Sequence, residues 1–549
     1  MPATARAGLT VARIFGHGMV LQRGQPIPVR GAGARPGSRV TVELRDGGAA
    51  GALLATASAD AGGGGAWRVP LPAIAGARTK PLTMLVSDGA ERLEFDGVLV
   101  GDVWLCSGQS NMNLSVAHND DLDATRPWSA RVDGSWVQPD PAPELDAGIR
   151  HFGVEQVLAE NHGAPQTDLP APTKGEGVWR HPTVPEAGRF TAAGFYFARA
   201  WRAAKLRAGE DVPVGIVRVS WGGTPIESWM SGELLGSRPD FAERREALKN
   251  MKGAANPPSR CYNSLLHPLL GFPVRGFIWY QGESNAGAHA VYRAQLIALI
   301  KDWRAGWGLP SAAFIVVQLP SMPRNSAHGE DARQWMRVSQ AELVACADRP
   351  GARVLLAAYP DLGANEPTPR NTDMEVHARR KRDLGERIAL LVRRELDGEA
   401  LLARGPVPAD GSAGRDTVTL RMDAAGAGLG TLDGQPLRGF EMAGADGVYH
   451  PARAVIDGDS VRLTSDAVKK PVSARYAWSN ALHAPGERTG GKPFPPAGNL
   501  STRDYAEKGA ITGKTYRLAA SSFRWETVRG GGSLDKVRDG SLIDEFDTT

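Results

Sequence analysis

Three short polar clusters in this chain carry the residues best suited to covalent chemistry, and each follows an apolar run. The first is Gly108, Gln109, Ser110 and Asn111 after "VWLC"; the second is "SWGGTPIESW" at 220–229; the third is "QGESNAGAH" at 281–289. A serine hydroxyl becomes a nucleophile when a neighbouring base takes its proton, and the oxyanion it creates needs N–H donors. Ser110 supplies the hydroxyl and its own N–H, Gly222 or Gly223 a second backbone N–H, and Asn285 a side-chain amide. Taken alone, a serine at such a turn serves equally well as a helix N-cap. The coincidence of three clusters favours the nucleophile.

The base for such a serine is normally histidine, and the chain has 11. His17 and His118 sit in loop-like sequence, His267 in the apolar "LLHPLL", and His450 and His483 in a late β-like region. His377 is distinguished by position: it follows the last apolar strand, on a loop "NTDMEVHARRKRD" that opens a helix. His289, just beyond Asn285, competes with it. A carboxylate usually orients the imidazole from its other nitrogen. Asp373 and Glu375 are close in sequence and Asp361 is farther away, and spacing alone does not choose among them.

The elements that must carry these residues follow from hydrophobic periodicity. Apolar strands are expected at 103–106, 212–220, 274–282, 312–320 and 352–360, with helices near 191–206, 289–305, 331–347 and 379–396. Such alternation calls for a parallel sheet covered on both faces, an α/β fold whose ligands bind beyond the carboxyl ends of the strands. Before it, residues 10–98 show short alternating runs split by turn clusters, the pattern of a small β-sandwich. The expected organisation is therefore an amino-terminal β-sandwich at 10–98, a catalytic domain at 99–400 with long loops over 118–190, and a β-rich accessory region at 401–480. A closing segment of the core at 481–525 and a tail at 526–549 complete it.

Bulk properties narrow the function. A net charge of only +4 over 549 residues, without a long Lys/Arg run, argues against nucleic acid as a partner. Cys106, Cys261 and Cys346 are too widely spaced for a thiolate zinc site or a disulfide framework. No apolar segment of the length a membrane span requires is present, so no membrane partner is expected. Oligomeric state is not legible.

The motifs together resemble a known family. "GQSNM" after a strand, "SWGGTPIESW", "YNSLLHPLL" leading into "GFIWYQGESNA", and "DLG" followed by a histidine before a helix are similar to the sialate O-acetylesterase group of the SGNH hydrolases. "HGMVLQRGQPIPVRGAG" resembles that group's amino-terminal sandwich, and "PLRGFEMAG" through "VSARYAWSNAL" its later β region. The resemblance implies a flavodoxin-like SGNH core with accessory all-β domains, and cofactor-free, metal-independent removal of acetyl groups from carbohydrates. It implies Ser110 as nucleophile, His377 as base, and Ser110, Gly222 and Asn285 at the oxyanion positions, with Gly223 the alternative to Gly222. It further implies a periplasmic or secreted protein if a signal peptide was removed. The substrate expected is an acetylated sugar, with plant cell-wall xyloglucan or xylan as plausible as sialic acid.

One departure stands out. The family's "DIHP" is here "EVHA", so Glu375 occupies the acid position, Asp373 is the alternative, and a Ser and His dyad is a third arrangement. This altered motif and the flanking β regions motivate a rival expectation, a carbohydrate-binding protein that kept the fold and lost catalysis.

Overall fold

The computed structural model describes residues 8–118, 131–132, 135–136, 146–320, 331–347, 353–358, 361, 377–378, 380–424, 426–478, 498–508, 515, 517–521 and 523–527. Its central feature is a largely parallel sheet of β1 (Arg92–Gly108), β2 (Ile149–Gly153), β3 (Trp179–Arg180), β4 (Val214–Ser220), β5 (Gly276–Tyr280), β6 (Ala313–Val317) and β7 (Val354–Ala357). The spatial order is β3-β2-β4-β1-β5-β6-β7, with only the edge strand β3 antiparallel to its neighbour. β1 is thus central, flanked by β4 and β5, and the three end level with one another: Gly108 pairs with both Ser220 and Tyr280.

Helices cover both faces, as buried parallel strands require. They are α1 (Ser110–Asn113), α2 (Ala192–Arg207), α3 (His289–Trp307), α4 (Asp331–Ala347) and α5 (Lys381–Glu395). Alternation along the strands decides which helix each side chain meets. Trp104 of β1 packs edge-on against Phe197 of α2, while Phe277 and Trp279 of β5, on the opposite face, pack against Trp303 of α3. α5 lies on α2, where Gly385 permits a close approach: a Cβ there would stand 2.5 Å from the Tyr196 carbonyl carbon.

β1 also joins the sheet to the amino-terminal β region. Its first half pairs antiparallel with Arg78–Ser87, and its second half runs parallel to β4 and β5. The boundary expected at 98/99 falls within this strand, where Val98, Leu99 and Val100 are buried, and one apolar core runs from Leu9 through the sheet and its helices. Residues 146–190, expected to be loops, contribute β2 and β3. Loop-like composition concealed β2 because five residues, "IRHFG", carry too little pattern to stand out.

The later β region has its own core, including Val418, Leu420, Met442, Val461, Leu463, Phe523 and Trp525. Of the segment expected to close the parallel-sheet core, Leu500–Thr502 pairs with Leu429–Thr431 and Phe523–Glu526 with Ser473–Tyr476, so these strands belong to the accessory sheets. Residues 528–549 of the expected tail lie outside the described residues.

Candidate active site

Gly108 explains how the chain leaves β1. Its φ of +138° is one that side chains avoid, and a Cβ would sit 2.0 Å from the Tyr280 carbonyl oxygen. Gly108→Ala is therefore expected to cost on the order of 3 kcal/mol or more of stability by urea denaturation; an unchanged midpoint would contradict this.

The strand then turns directly into α1. Gln109 takes the N-cap position without a side-chain capping bond, and Ser110 is the first helical residue, so N-capping does not account for Ser110. The half-buried Ser110 faces the end of β4, where a Cβ on Gly222 would lie 3.4 Å from Ser110 Cβ. Gly223, at φ +77°, has open space at the corresponding position and supplies the turn. Of the two glycines, Gly222 is the one against the serine.

Three strand ends are tied together by a buried amide. Gln281 Nε2 lies within hydrogen-bond reach of Asn285 Oδ1 at 2.7 Å, the Thr224 carbonyl at 3.2 Å and Gln109 Oε1 at 3.3 Å. The Ser284 N–H also donates to Gln109 Oε1 at 3.1 Å. Asn285 is fully buried and its orientation is set: Oδ1 accepts from the Ile226 N–H at 2.9 Å, and Nδ2 donates to Glu227 Oε2 at 3.0 Å. Glu227, itself buried, accepts at its other oxygen from Gln295 at 3.0 Å and Arg244 at 2.9 Å. An Asn Nδ2 has two hydrogens, and Glu227 takes one of them.

The serine turn is held just as firmly on its other side. Asn113 Oδ1 accepts from Arg218 at 2.7 Å, Gln156 at 2.8 Å and the Ser220 hydroxyl at 3.1 Å. Asn111, beside Ser110, donates from Nδ2 to Glu283 Oε1 at 2.7 Å and accepts at Oδ1 from Lys381 Nζ at 2.8 Å. Burial raises the Glu283 carboxyl above the ordinary range, despite the Asn111 bond and the nearby charges of His377 and Lys381. Farther in, burial pushes Glu342 well above it, and the charge of Glu283 adds to the shift.

His377 is half-buried and stands just ahead of α5, whose first residue is Lys381. The Lys381–Asn111 bond brings the start of α5, four residues after the histidine, to the serine turn. Glu375 and Asp373 lie outside the described residues. His289 opens α3 with Nε2 2.9 Å from Arg337 Nη1. Asp361, the distant carboxylate, is engaged by Arg387 through two bonds of 2.6 Å; burial would raise its pKa, but the Arg387 charge and hydrogen bonds, with the charge of Arg380, together outweigh burial and hold it low.

The groups that residue-by-residue reasoning passed over are Gln281, Glu227, Glu283 and Lys381. All four lie inside the stretches that carry their neighbours, Lys381 in the one with His377, so those stretches are a sufficient signal for place though not for role.

An open parallel sheet with a serine turn at its central carboxyl edge, ringed by glycine and amide groups, has the parts an ester hydrolase needs. Comparison with known proteins specifies it. Residues 168–356 match a family model described as carbohydrate esterase, sialic acid-specific acetylesterase. The solved structure of a carbohydrate acetylesterase from Xanthomonas citri is 33% identical, superposes with a TM-score of 0.72, and is matched over 95% of this chain and 100% of that one. Sialate O-acetylesterase from Homo sapiens is 28% identical over 426 residues, 74% of each chain, and that from Pongo abelii gives the same figures. The chain belongs to the carbohydrate acetylesterases and resembles those of the sialate O-acetylesterase type. It is accordingly an acetylesterase, a carboxylic ester hydrolase, and the expectation of a binding protein without catalysis is set aside. Among the described residues no helix is long and apolar enough to cross a membrane.

Proposed function

We propose that this protein removes O-acetyl groups from carbohydrates through an acetyl-enzyme on Ser110, in a flavodoxin-like SGNH core. Ser110 Oγ attacks the acetyl carbonyl while His377 accepts its proton. The N–H groups of Ser110 and Gly222 and the second Nδ2 hydrogen of Asn285 receive the oxyanion. Collapse breaks the ester C–O bond, and His377 returns the proton to the departing sugar oxygen. Water then attacks the acetyl-enzyme with His377 as base, releasing acetate and regenerating the serine. Glu375 orients the imidazole, with Asp373 the alternative.

The observation that carries this reading is the backbone of Gly222 lying against Ser110, with an oriented Asn285 tied to the same turn through Gln281 and Gln109. The substrates extend to acetylated plant cell-wall oligosaccharides such as xyloglucan or xylan, since this machinery reads the acetyl ester and not the sugar. Rapid acid quenching during turnover of p-nitrophenyl acetate, followed by peptide mass spectrometry, should find acetyl on the peptide containing Ser110. Acetylation at another residue, or none in a quench that catches the burst of p-nitrophenol, would overturn the acyl-enzyme. Acetate release across acetylated xylan, xyloglucan and sialosides then ranks the sugars; activity confined to sialosides would remove the cell-wall reading.

A further inference from the structure

We infer that Lys381 is a positioning residue for the esterase reaction, tethering the His377 segment to the serine turn through Asn111. The inference rests on the roles proposed for Ser110 and His377.

The side chain is costly where it stands. Lys381 is fully buried, and removing an ammonium from water is costly unless polar partners compensate. It is also the first residue of α5, where the helix end presents partial positive charge and disfavours a cation. Helix docking does not need it, because Leu384 and Ile388 are buried and Gly385 already packs closely on Tyr196. An apolar residue would satisfy that role at lower cost.

What the ammonium touches points to the serine. Nζ donates to Asn111 Oδ1 at 2.8 Å, lies 3.4 Å from the Tyr280 hydroxyl, and sits 4.5 Å from the centre of the Tyr280 ring. Asn111 follows Ser110 directly, and Tyr280 ends β5, its carbonyl accepting the Gln109 N–H at 3.1 Å. The Asn111 amide is fixed between a cation and a carboxylate, Lys381 at Oδ1 and Glu283 at Nδ2, so a flip would oppose both charges. His377 stands four residues before Lys381, with buried Ala378 between them. The bond therefore sets how far the histidine's segment can move from the nucleophile.

The test uses the full chain with Lys381→Met, which keeps length and contact with the Tyr280 ring but cannot donate. On p-nitrophenyl acetate kcat should fall on the order of 10²-fold while KM changes by less than about threefold, since misplacement of the base affects the transition state more than binding. Phosphonylation of Ser110 by an organophosphate should slow in parallel. Asn111→Ala removes the same bond from the other element and should behave alike, and the double variant should be no slower than the worse single one. Unchanged kcat and phosphonylation in the folded variants, or losses that multiply in the double variant, would overturn the inference. Ser110→Ala separates this from the parent reading: an active Ser110→Ala enzyme refutes the mechanism itself, whereas an inactive one beside a fully active Lys381→Met refutes only the tether.

Discussion

Ser110→Ala should release acetate from p-nitrophenyl acetate at least ~10³-fold more slowly than the unaltered enzyme, and His377→Ala should lose a similar factor. In the proposed mechanism nucleophile and base act as a unit: without the hydroxyl there is no acetyl-enzyme, and without the imidazole the hydroxyl keeps its proton. The double variant should then be no slower than either single one. The proposed oxyanion groups do not depend on either side chain, because the amide of Asn285 is held by other bonds and Gly222 offers its backbone, so a small residual rate above background is expected. Ser110 is only half-buried, and its replacement should leave the thermal midpoint nearly unchanged. Full activity in Ser110→Ala, or a His377→Ala loss that multiplies with it, would contradict the assignment.

The second large effect concerns stability and lies within β1, where its pairing with β4 begins. Asp102 is almost fully buried, and it accepts from Arg23 at 2.8 and 2.9 Å and from Arg275 at 2.7 Å. Arg23 comes from the amino-terminal β region and Arg275 leads into β5, so this carboxylate pins one to the other. Arg275 also pairs with Asp397, which in turn meets Lys205 at 3.2 Å and the Trp201 indole at 2.8 Å. Removing one member of a buried charge cluster leaves the others uncompensated, and Asp102→Ala should cost about 3–5 kcal/mol, measured by denaturant unfolding. Arg23 retains some contact with water, which favours the lower part of that range.

The same carboxylate carries a pH signature. Burial alone would raise the Asp102 pKa, but the bond from Arg23 and the charges of Arg275 and Arg23 outweigh it and hold the group below its usual value. A carboxyl with a depressed folded-state pKa stabilises fully above its unfolded value, roughly 3.9, and that contribution disappears as pH falls through the lower folded value. The stability difference between the unaltered protein and Asp102→Asn should therefore be flat near neutrality and shrink only in the acid range below about 4. A difference that shrinks as pH rises above neutrality would be the wrong sign and would rule out this account.

The strands and helices that carry the site are legible in the sequence, because their signals are local. Val214–Ser220, Gly276–Tyr280 and Ala313–Val317 lie inside the runs read as strands, and Asp331–Ala347 coincides with the helix read there. The polar clusters at their ends were legible for the same reason: Gly108, Ser110, Gly222 and Asn285 each stand immediately beyond an apolar run. The strand Ile149–Gly153 was not, since so short a segment acquires its identity from the neighbour with which it pairs.

Which residues meet depends on the folded arrangement. Gly222 and Gly223 are equivalent in composition and differ in backbone conformation and in distance to Ser110. Glu227, Gln281 and Glu283 look alike as polar residues of strand-end motifs. Their partners, Asn285, Gln109 and Asn111, lie between 58 and 172 residues away along the chain. Lys381 reaches Asn111 across 270 residues. The physical reason is one of range. Periodicity and turn chemistry act over a few residues and are written in the local sequence, whereas hydrogen bonds between buried groups are specified only when the sheet closes and brings distant strand ends to a common edge.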